Sequence, residues 1–198
     1  MTICLVTDRR RRPPIEQAAE AADAGVDLIQ IRERDLDASQ LAAIVTRIVQ
    51  ITRGSRTRVV VNDRLDIAVA CDADGVHLRG DSIPPARVRA LVPQGFLIGR
   101  SVHEMSEALA AAPHVDYLIA GTVFPTTSKP GRTDFLGLRG LASIAAAVPV
   151  PVLAIGGITP ECVGEISATG AAGIAAVTLF SDADRPIRDM VRSLRLQP

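Results

Sequence analysis

The sequence predicts a single (β/α)8 TIM barrel with short loops, spanning residues 1–198. Short β-branched runs alternate with alanine-rich segments along the chain, a pattern typical of successive strand and helix units on a parallel sheet. Eight such pairs are present, and eight parallel strands that are each followed by a helix close into a barrel. Because the chain is shorter than the roughly 250 residues usual for this fold, we expect short loops.

The elements follow one another in strict alternation. The strand candidates cover residues 3–8, 26–33, 58–63, 74–80, 96–102, 115–124, 149–158 and 173–180. The helix candidates cover residues 15–24, 39–53, 65–71, 86–91, 104–112, 138–147, 160–169 and 186–194. Residues typical of helix N-termini precede several of them, such as Ser39, Thr159 and Asp184. The alternative is a doubly wound open sheet, but no Gly-x-Gly-x-x-Gly turn follows the first strand.

Composition excludes several classes of function. The formal net charge is +0, so the molecule as a whole is not attracted to nucleic acid or to an anionic membrane. The arginine run 9–12 lacks interleaved aromatic residues and meets Pro13 and Pro14, which favours a solvated loop. No apolar run reaches the ~18 residues of a membrane span, and the N-terminal apolar stretch precedes the charges, unlike a signal peptide. We expect a cytoplasmic protein that binds neither nucleic acid nor membranes; a homo-oligomer stays open.

Polar and small residues follow the predicted strands at the end where a barrel carries its chemistry. These residues are Thr7, Asp8, Gln30, Arg32, Arg34, Asn62, Asp63, Arg79, Gly80, Asp81, Arg100, Ser101, His103, Thr126, Ser128, Lys129, Gly156, Gly157, Val177 and Thr178. The strand-seven and strand-eight ends are the familiar phosphate position, and the Gly156-Gly157 turn before Thr159 suits close backbone approach to a phosphate. His103 could be a general acid or base, or it could serve the start of the next helix.

The second strand predicts an anion site on the other side of the barrel mouth. Gln30, Arg32 and Arg34 alternate and so point the same way, and converging arginines suit a phosphate or diphosphate. Salt bridges to Asp8 or Asp63 are the alternative interpretation. Asp63 could instead hold Mg²⁺, which commonly takes one or two carboxylates and fills its shell with water and substrate phosphate.

Lys129 is the only lysine in a chain with 22 lysine and arginine residues. A lone lysine near strand six also suggests a Schiff-base aldolase. Such a lysine should project from within the strand into a dry pocket, whereas Lys129 lies five residues beyond Phe124 in a loop rich in hydroxyl groups.

Eight motifs carry a family resemblance: "LVTD", "QIRER", "VNDR", "DGVHL", "IGRSVH", "DYLIAGTVFPTTSK", "PVLAIGGI" and "GAAGIAAV". In order and spacing they resemble the thiamine phosphate synthase and thiazole tautomerase superfamily, over nearly the whole chain. The resemblance implies a (β/α)8 fold and small phosphorylated heterocycles as substrates. The synthase of this superfamily joins a hydroxymethylpyrimidine diphosphate to a thiazole phosphate and releases diphosphate with the help of Mg²⁺.

The resemblance also implies a role for each matching position. Ser101 would lie beside the reacting pyrimidine, Lys129 would contact the diphosphate, and Asp63 would be a metal ligand. The other substrate-binding positions it implies are Gln30, Arg32, Arg34 and Asn62 for the diphosphate, Thr126 and Ser128 on the thiazole phosphate side, and Gly157, Val177 and Thr178 around that phosphate.

Three positions depart from the family pattern. Arg34 stands where the synthase usually has lysine, Ser82 where it has a second metal-binding aspartate, and Thr122 where the tautomerase has its proton-transfer histidine. Threonine cannot titrate near neutral pH, so a tautomerase would need another acid–base residue, such as His103. We therefore expect a synthase first, a tautomerase second, and a non-catalytic binder of thiazole or thiamine phosphate third.

Overall fold

The computed structural model describes residues 1–126, 134–182 and 185–196. The strands are β1 (Thr2–Val6), β2 (Leu28–Ile31), β3 (Arg58–Asn62), β4 (Gly75–Leu78), β5 (Leu97–Val102), β6 (Tyr117–Gly121), β7 (Val152–Ile155) and β8 (Gly173–Ala176). The α-helices within these residues are α1 (Pro14–Asp23), α2 (Ala38–Thr52), α3 (Leu65–Ala70), α4 (Pro85–Arg89), α5 (Met105–Ala111), α6 (Gly137–Ala147), α7 (Val163–Ser167) and α8 (Ile187–Arg195).

The strands form one closed parallel barrel in chain order. Each strand pairs with the next, and β1 closes the barrel against β8, with Thr2 opposite Gly173. This arrangement confirms the (β/α)8 barrel and excludes the doubly wound sheet. One helix differs from its prediction, because the segment predicted at 160–169 consists of a 3₁₀ turn, Pro160–Cys162, followed by the five-residue α7.

Apolar side chains alternate between two layers of the core, as the period-two geometry of a strand requires. Along β1, Ile3 and Leu5 face the layer between barrel and helices, while Cys4 and Val6 face the barrel interior. The interior also contains Leu28, Val60, Tyr117, Ile119, Leu153 and Ala175. The barrel interior is therefore a packed core rather than a pore.

Three aspartates fasten the N-terminal end of the barrel. Each one precedes an even-numbered strand and accepts a backbone N–H from a strand beside it. Asp27 accepts from the N–H of Ile3 at 2.9 Å, Asp74 from that of Val59 at 2.7 Å and Asp116 from that of Ile98 at 2.7 Å. These bonds satisfy backbone groups at strand starts, which leaves the C-terminal end for chemistry. No helix in the described ranges is both long and apolar enough to cross a membrane.

Candidate active site

A cavity of about 630 Å³ opens at the C-terminal ends of the strands. That volume suits a small-molecule site. The predicted site residues that line it are Gln30, Arg32, Arg34, Asn62, Ser101, Thr126, Gly157, Val177 and Thr178. Asp63 is not among the lining residues, and Ser128 and Lys129 lie outside the described residues.

Gln30 and Asn62 form a buried polar pair at the ends of β2 and β3. The Gln30 amide nitrogen donates to Asn62 Oδ1 at 3.0 Å, and both side chains line the cavity. With its oxygen held by Gln30, Asn62 directs its amide nitrogen, a donor, elsewhere. The pair therefore offers N–H groups to an anion in the cavity.

Arg32 supplies positive charge beside this pair. Burial lowers its pKa below the ordinary value, and the charge of Arg34 lowers that pKa further. An arginine stays protonated at neutral pH despite such a shift. The carboxylates of Asp8 and Glu33 raise the same pKa and offset part of this repulsion. Arg32 and Arg34 also line the cavity, where their guanidinium groups suit a phosphate.

The loop after β1 reaches the cavity. Arg9, Arg10 and Arg11 are exposed, as expected of the solvated loop predicted for residues 9–12, whereas Arg12 is buried and pairs with Glu20. Glu33 holds the loop in place. Its buried carboxylate accepts from Thr7 Oγ1 at 2.6 Å and from the backbone N–H of Arg9 at 3.1 Å. Arg10 and Arg11 of this loop line the cavity. No local sequence pattern indicates this placement, because Glu33 is separated from Arg9 by 24 residues.

A chain of three polar side chains runs from the barrel interior to the cavity. Ser101 Oγ lies 2.9 Å from His77 Nε2, and His77 Nδ1 lies 3.1 Å from the hydroxyl of Tyr117. Burial, with a smaller contribution from the charge of Arg100, lowers the pKa of His77 to about 3. A neutral imidazole carries one donor and one acceptor, so His77 orients the Ser101 hydroxyl without adding charge.

The turn after β7 brings the backbone to the cavity wall. Gly157 has φ +66, and a Cβ there would lie 2.5 Å from the carbonyl oxygen of Pro125. Only glycine fits this conformation and this spacing without a shift of the neighbouring backbone. Val177 and Thr178, which follow β8, line the same cavity. Their role in a phosphate cradle stays a prediction.

Asp63 is engaged with its neighbours rather than directed into the cavity. It is a non-glycine residue at φ 62, a strained conformation that its surroundings must hold. One carboxylate oxygen accepts from the Ser82 hydroxyl, and the other lies 3.4 Å from Arg79 Nη1. Arg79 also pairs with Asp81, and its side chain lines the cavity.

These residues do not fit a protein-bound Mg²⁺ in this arrangement. Both oxygens of the Asp63 carboxylate are already in use, and a divalent cation there would meet the guanidinium of Arg79. Within the described part of the chain, no three His, Cys, Asp or Glu side chains gather as a metal site. The metal-ligand role of Asp63 stays a prediction from the resemblance.

His103 and Thr122 lie on the β5 and β6 side of the cavity. Both line it, and His103 Nδ1 contacts the backbone carbonyl of Gly121. Thr122 is almost fully buried. The structure thus places an ionisable imidazole beside the cavity, but not at the position that the tautomerase pattern requires.

Comparison with known proteins gives the family. Residues 3–180 match the family model described as thiamine monophosphate synthase. The thiamine-phosphate synthase of Methanoculleus marisnigri is 38% identical, with 98% of this chain and 96% of that protein covered. The one from Pyrococcus furiosus is 36% identical, with 98% and 93% covered.

Solved structures agree. The thiamine phosphate pyrophosphorylase from Pyrococcus furiosus superposes with a TM-score of 0.88 at 35% identity, covering 98% of this chain and 93% of that one. A 3-hexulose-6-phosphate synthase superposes with a TM-score of 0.71 at 17% identity over 98% of both chains, and shares the fold alone. The motifs quoted from the sequence and the matches over almost its full length lead to one conclusion: the chain belongs to the thiamine monophosphate synthase family.

Proposed function

We propose that this protein is a thiamine phosphate synthase, a transferase that joins a hydroxymethylpyrimidine diphosphate to a thiazole phosphate and releases diphosphate. The observation that carries the proposal is a cavity with two walls whose residues suit anions. Arginines that follow β2 and lie in the loop after β1 form one wall, and the glycine turn after β7 with the end of β8 forms the wall beside it. Two phosphorylated substrates need two such walls.

The diphosphate would bind at the arginine wall. Gln30, Arg32, Arg34 and Asn62 line it, and Lys129 joins them by resemblance from outside the described residues. Negative charge develops on the departing oxygens as the bond to the pyrimidine breaks. Preorganised cations and N–H donors on those oxygens stabilise the transition state more than the ground state.

The thiazole phosphate would bind at the neighbouring wall, since β8 pairs with β1. Gly157, Val177 and Thr178 surround this part of the cavity, Thr126 lines it, and Ser128 is assigned here by resemblance. A backbone free of Cβ atoms lets N–H groups approach phosphate oxygens closely. Holding both substrates in one cavity converts a bimolecular step into an effectively unimolecular one.

Ser101 would lie beside the pyrimidine. Loss of diphosphate leaves a pyrimidine cation, which the thiazole then captures. His77 is neutral and hydrogen-bonded to Ser101, so it holds the hydroxyl without repelling the cation. A protonated histidine at this position would oppose the charge that the reaction creates.

The test is incubation of the protein with both phosphorylated heterocycles, with and without Mg²⁺, and analysis of the products. We expect thiamine phosphate and diphosphate in equal amounts. Arg32→Gln should lower kcat/KM by about 100-fold, the scale of a lost charge-assisted contact to a developing anion. Arg87→Gln is the matched control, because Arg87 is exposed on α4 and lies outside the cavity.

Two other outcomes separate the remaining candidates. An isomerised thiazole phosphate without thiamine phosphate would show a tautomerase, and loss of that activity in His103→Gln would identify its acid–base residue. His103 favours this second candidate because it lines the cavity. If neither product forms while a phosphorylated heterocycle still binds, the protein is a binding protein and the synthase proposal fails.

A further inference from the structure

The loop after β4 places an arginine where the family pattern has a metal site. Residues 79–82 form a tight turn in which the Ser82 backbone N–H donates to the Arg79 carbonyl at 3.1 Å. The Ser82 hydroxyl accepts from the Arg79 backbone N–H at 2.7 Å and donates to Asp63. Ser82 therefore fastens the turn to Asp63, and its single hydroxyl hydrogen is in use.

A second arginine holds this turn from the neighbouring strand. Arg100, on β5, donates to the carbonyl of Gly80 at 2.8 Å and to that of Ile83 at 3.3 Å. The turn is thus held on both sides, by Arg100 and by Asp63. Such support fixes the backbone from which the Arg79 side chain projects.

The guanidinium of Arg79 lies between Asp63 and the cavity. Arg79 lines the cavity, whereas Asp63, Asp81 and Ser82 do not. Its Nη1 lies 3.4 Å from Asp63, and its Nη2 contacts Asp81, whose side chain is 67% exposed. These contacts use one N–H from each terminal nitrogen, while a guanidinium carries five N–H donors. The same group can therefore bind phosphate oxygens in the cavity.

Charge balance supports the same interpretation. Two carboxylates with a divalent cation between them sum to zero, and so do one carboxylate and one guanidinium. An aspartate at position 82 would set two carboxylates side by side and would require a cation between them. With Ser82 in that place, the positive charge of Arg79 neutralises the negative charge of Asp63. The charge of Asp81 is screened by solvent, because its side chain is exposed.

We infer that Arg79 takes the place of a protein-bound metal ion in this chain: its guanidinium bridges Asp63 and the diphosphate, which binds without a divalent cation held by the protein. The inference rests on the proposed function, which puts a diphosphate in this part of the cavity. Arg79 is then a further substrate-binding residue, and Ser82 is a positioning residue that acts through Asp63.

Calorimetric titration with inorganic diphosphate, in EDTA and in Mg²⁺, tests the inference directly. We expect affinities in the two buffers to agree within about threefold, and Arg79→Ala to weaken binding in EDTA by about 10- to 100-fold, the range for a lost hydrogen bond between charged groups. Arg87→Gln should bind as the wild type does. Diphosphate binding that needs Mg²⁺ and is unchanged by Arg79→Ala would overturn the inference.

A second variant restores the residue types of a metal site. In Arg79→Gly combined with Ser82→Asp, we expect Mn²⁺ binding that electron paramagnetic resonance detects, and diphosphate binding that now depends on the metal. Wild-type protein should leave Mn²⁺ free in solution when no diphosphate is present. Tight Mn²⁺ binding by the wild type, lost in Asp63→Asn, would contradict the inference whatever the double variant does.

The failures of the two proposals are distinguishable because product formation is measured separately. Thiamine phosphate synthesis together with strictly Mg²⁺-dependent diphosphate binding would remove the metal-replacement inference and keep the synthase. Diphosphate binding in EDTA that depends on Arg79, without any thiamine phosphate, would remove the synthase and keep the arginine site.

Discussion

His77 is a single buried residue that affects both the candidate active site and the stability of the folded chain. Its side chain is 1% exposed, and its pKa falls from 6.5 to about 3. Between those two values the unfolded chain binds a proton at this residue and the folded chain does not, so stability falls as the pH is lowered below 6.5. The neutral form that serves Ser101 is therefore also the form that folding requires.

Urea denaturation at pH 7 and pH 5 checks this coupling. His77 should contribute about 2 kcal/mol to the loss in free energy of unfolding between these pH values. His77→Gln should show a loss smaller by about that amount, because glutamine does not titrate. His114→Gln is the control, since His114 is exposed, and should keep the wild-type pH dependence. Equal pH dependence in wild type and His77→Gln would contradict the assignment.

Among the elements, the turn after β7 combines a left-handed backbone with a close approach to a neighbouring segment. Gly157→Ala would add strain at φ +66 and a Cβ 2.5 Å from Pro125 O, so the turn must move. We expect thiazole phosphate affinity to fall by about tenfold or more, as for loss of one hydrogen bond to a charged group. Calorimetric titration with the thiazole phosphate measures this directly.

Gly170→Ala is the control for Gly157→Ala, because it adds backbone strain at a positive φ without displacing a neighbouring segment. Gly170 has φ +82, but a Cβ there would meet nothing within 4 Å, and the residue does not line the cavity. Both variants should lose about 1–2 kcal/mol of stability from the left-handed backbone. Only Gly157→Ala should also lose affinity; an equal loss in Gly170→Ala would show that strain alone explains the effect.

The elements were largely predictable, and the contacts between them were not. Strand and helix periodicity located all eight β/α pairs, and the polar strand ends located the cavity-lining residues Gln30, Asn62 and Ser101. The Arg79–Asp63 contact joins residues 16 apart, and the Tyr117–His77 contact joins residues 40 apart. Such contacts depend on side-chain reach across neighbouring strand ends, which periodicity does not encode.

At the scale of the whole molecule, the chain is electrically neutral but its cavity is strongly cationic. The chain carries equal numbers of basic and acidic residues. The described residues that line the cavity, however, include Arg10, Arg11, Arg32, Arg34 and Arg79 with Asp8 as the only carboxylate. This excess of positive charge in a concave, partly apolar site concentrates anionic substrates locally without attracting polyanions to the molecule as a whole.

Salt should therefore act on substrate binding far more than on the fold. Raising the salt concentration shortens the Debye length from about 10 Å at 0.1 M to about 3 Å at 1 M, which screens the arginine wall from an approaching diphosphate. We expect the KM of the diphosphate substrate to rise about tenfold over this range, with kcat changed much less, because charges in contact within the cavity are screened less than charges at a distance.

The thermal unfolding midpoint, measured in the same buffers, should shift little, since the net charge of the chain is zero and whole-molecule repulsion is absent. Sodium chloride and potassium acetate should act alike, which separates screening from competition by a particular anion. A KM for the diphosphate substrate that stays constant from 0.1 M to 1 M salt would show that the cavity arginines are neutralised by their carboxylate partners and do not attract the substrate.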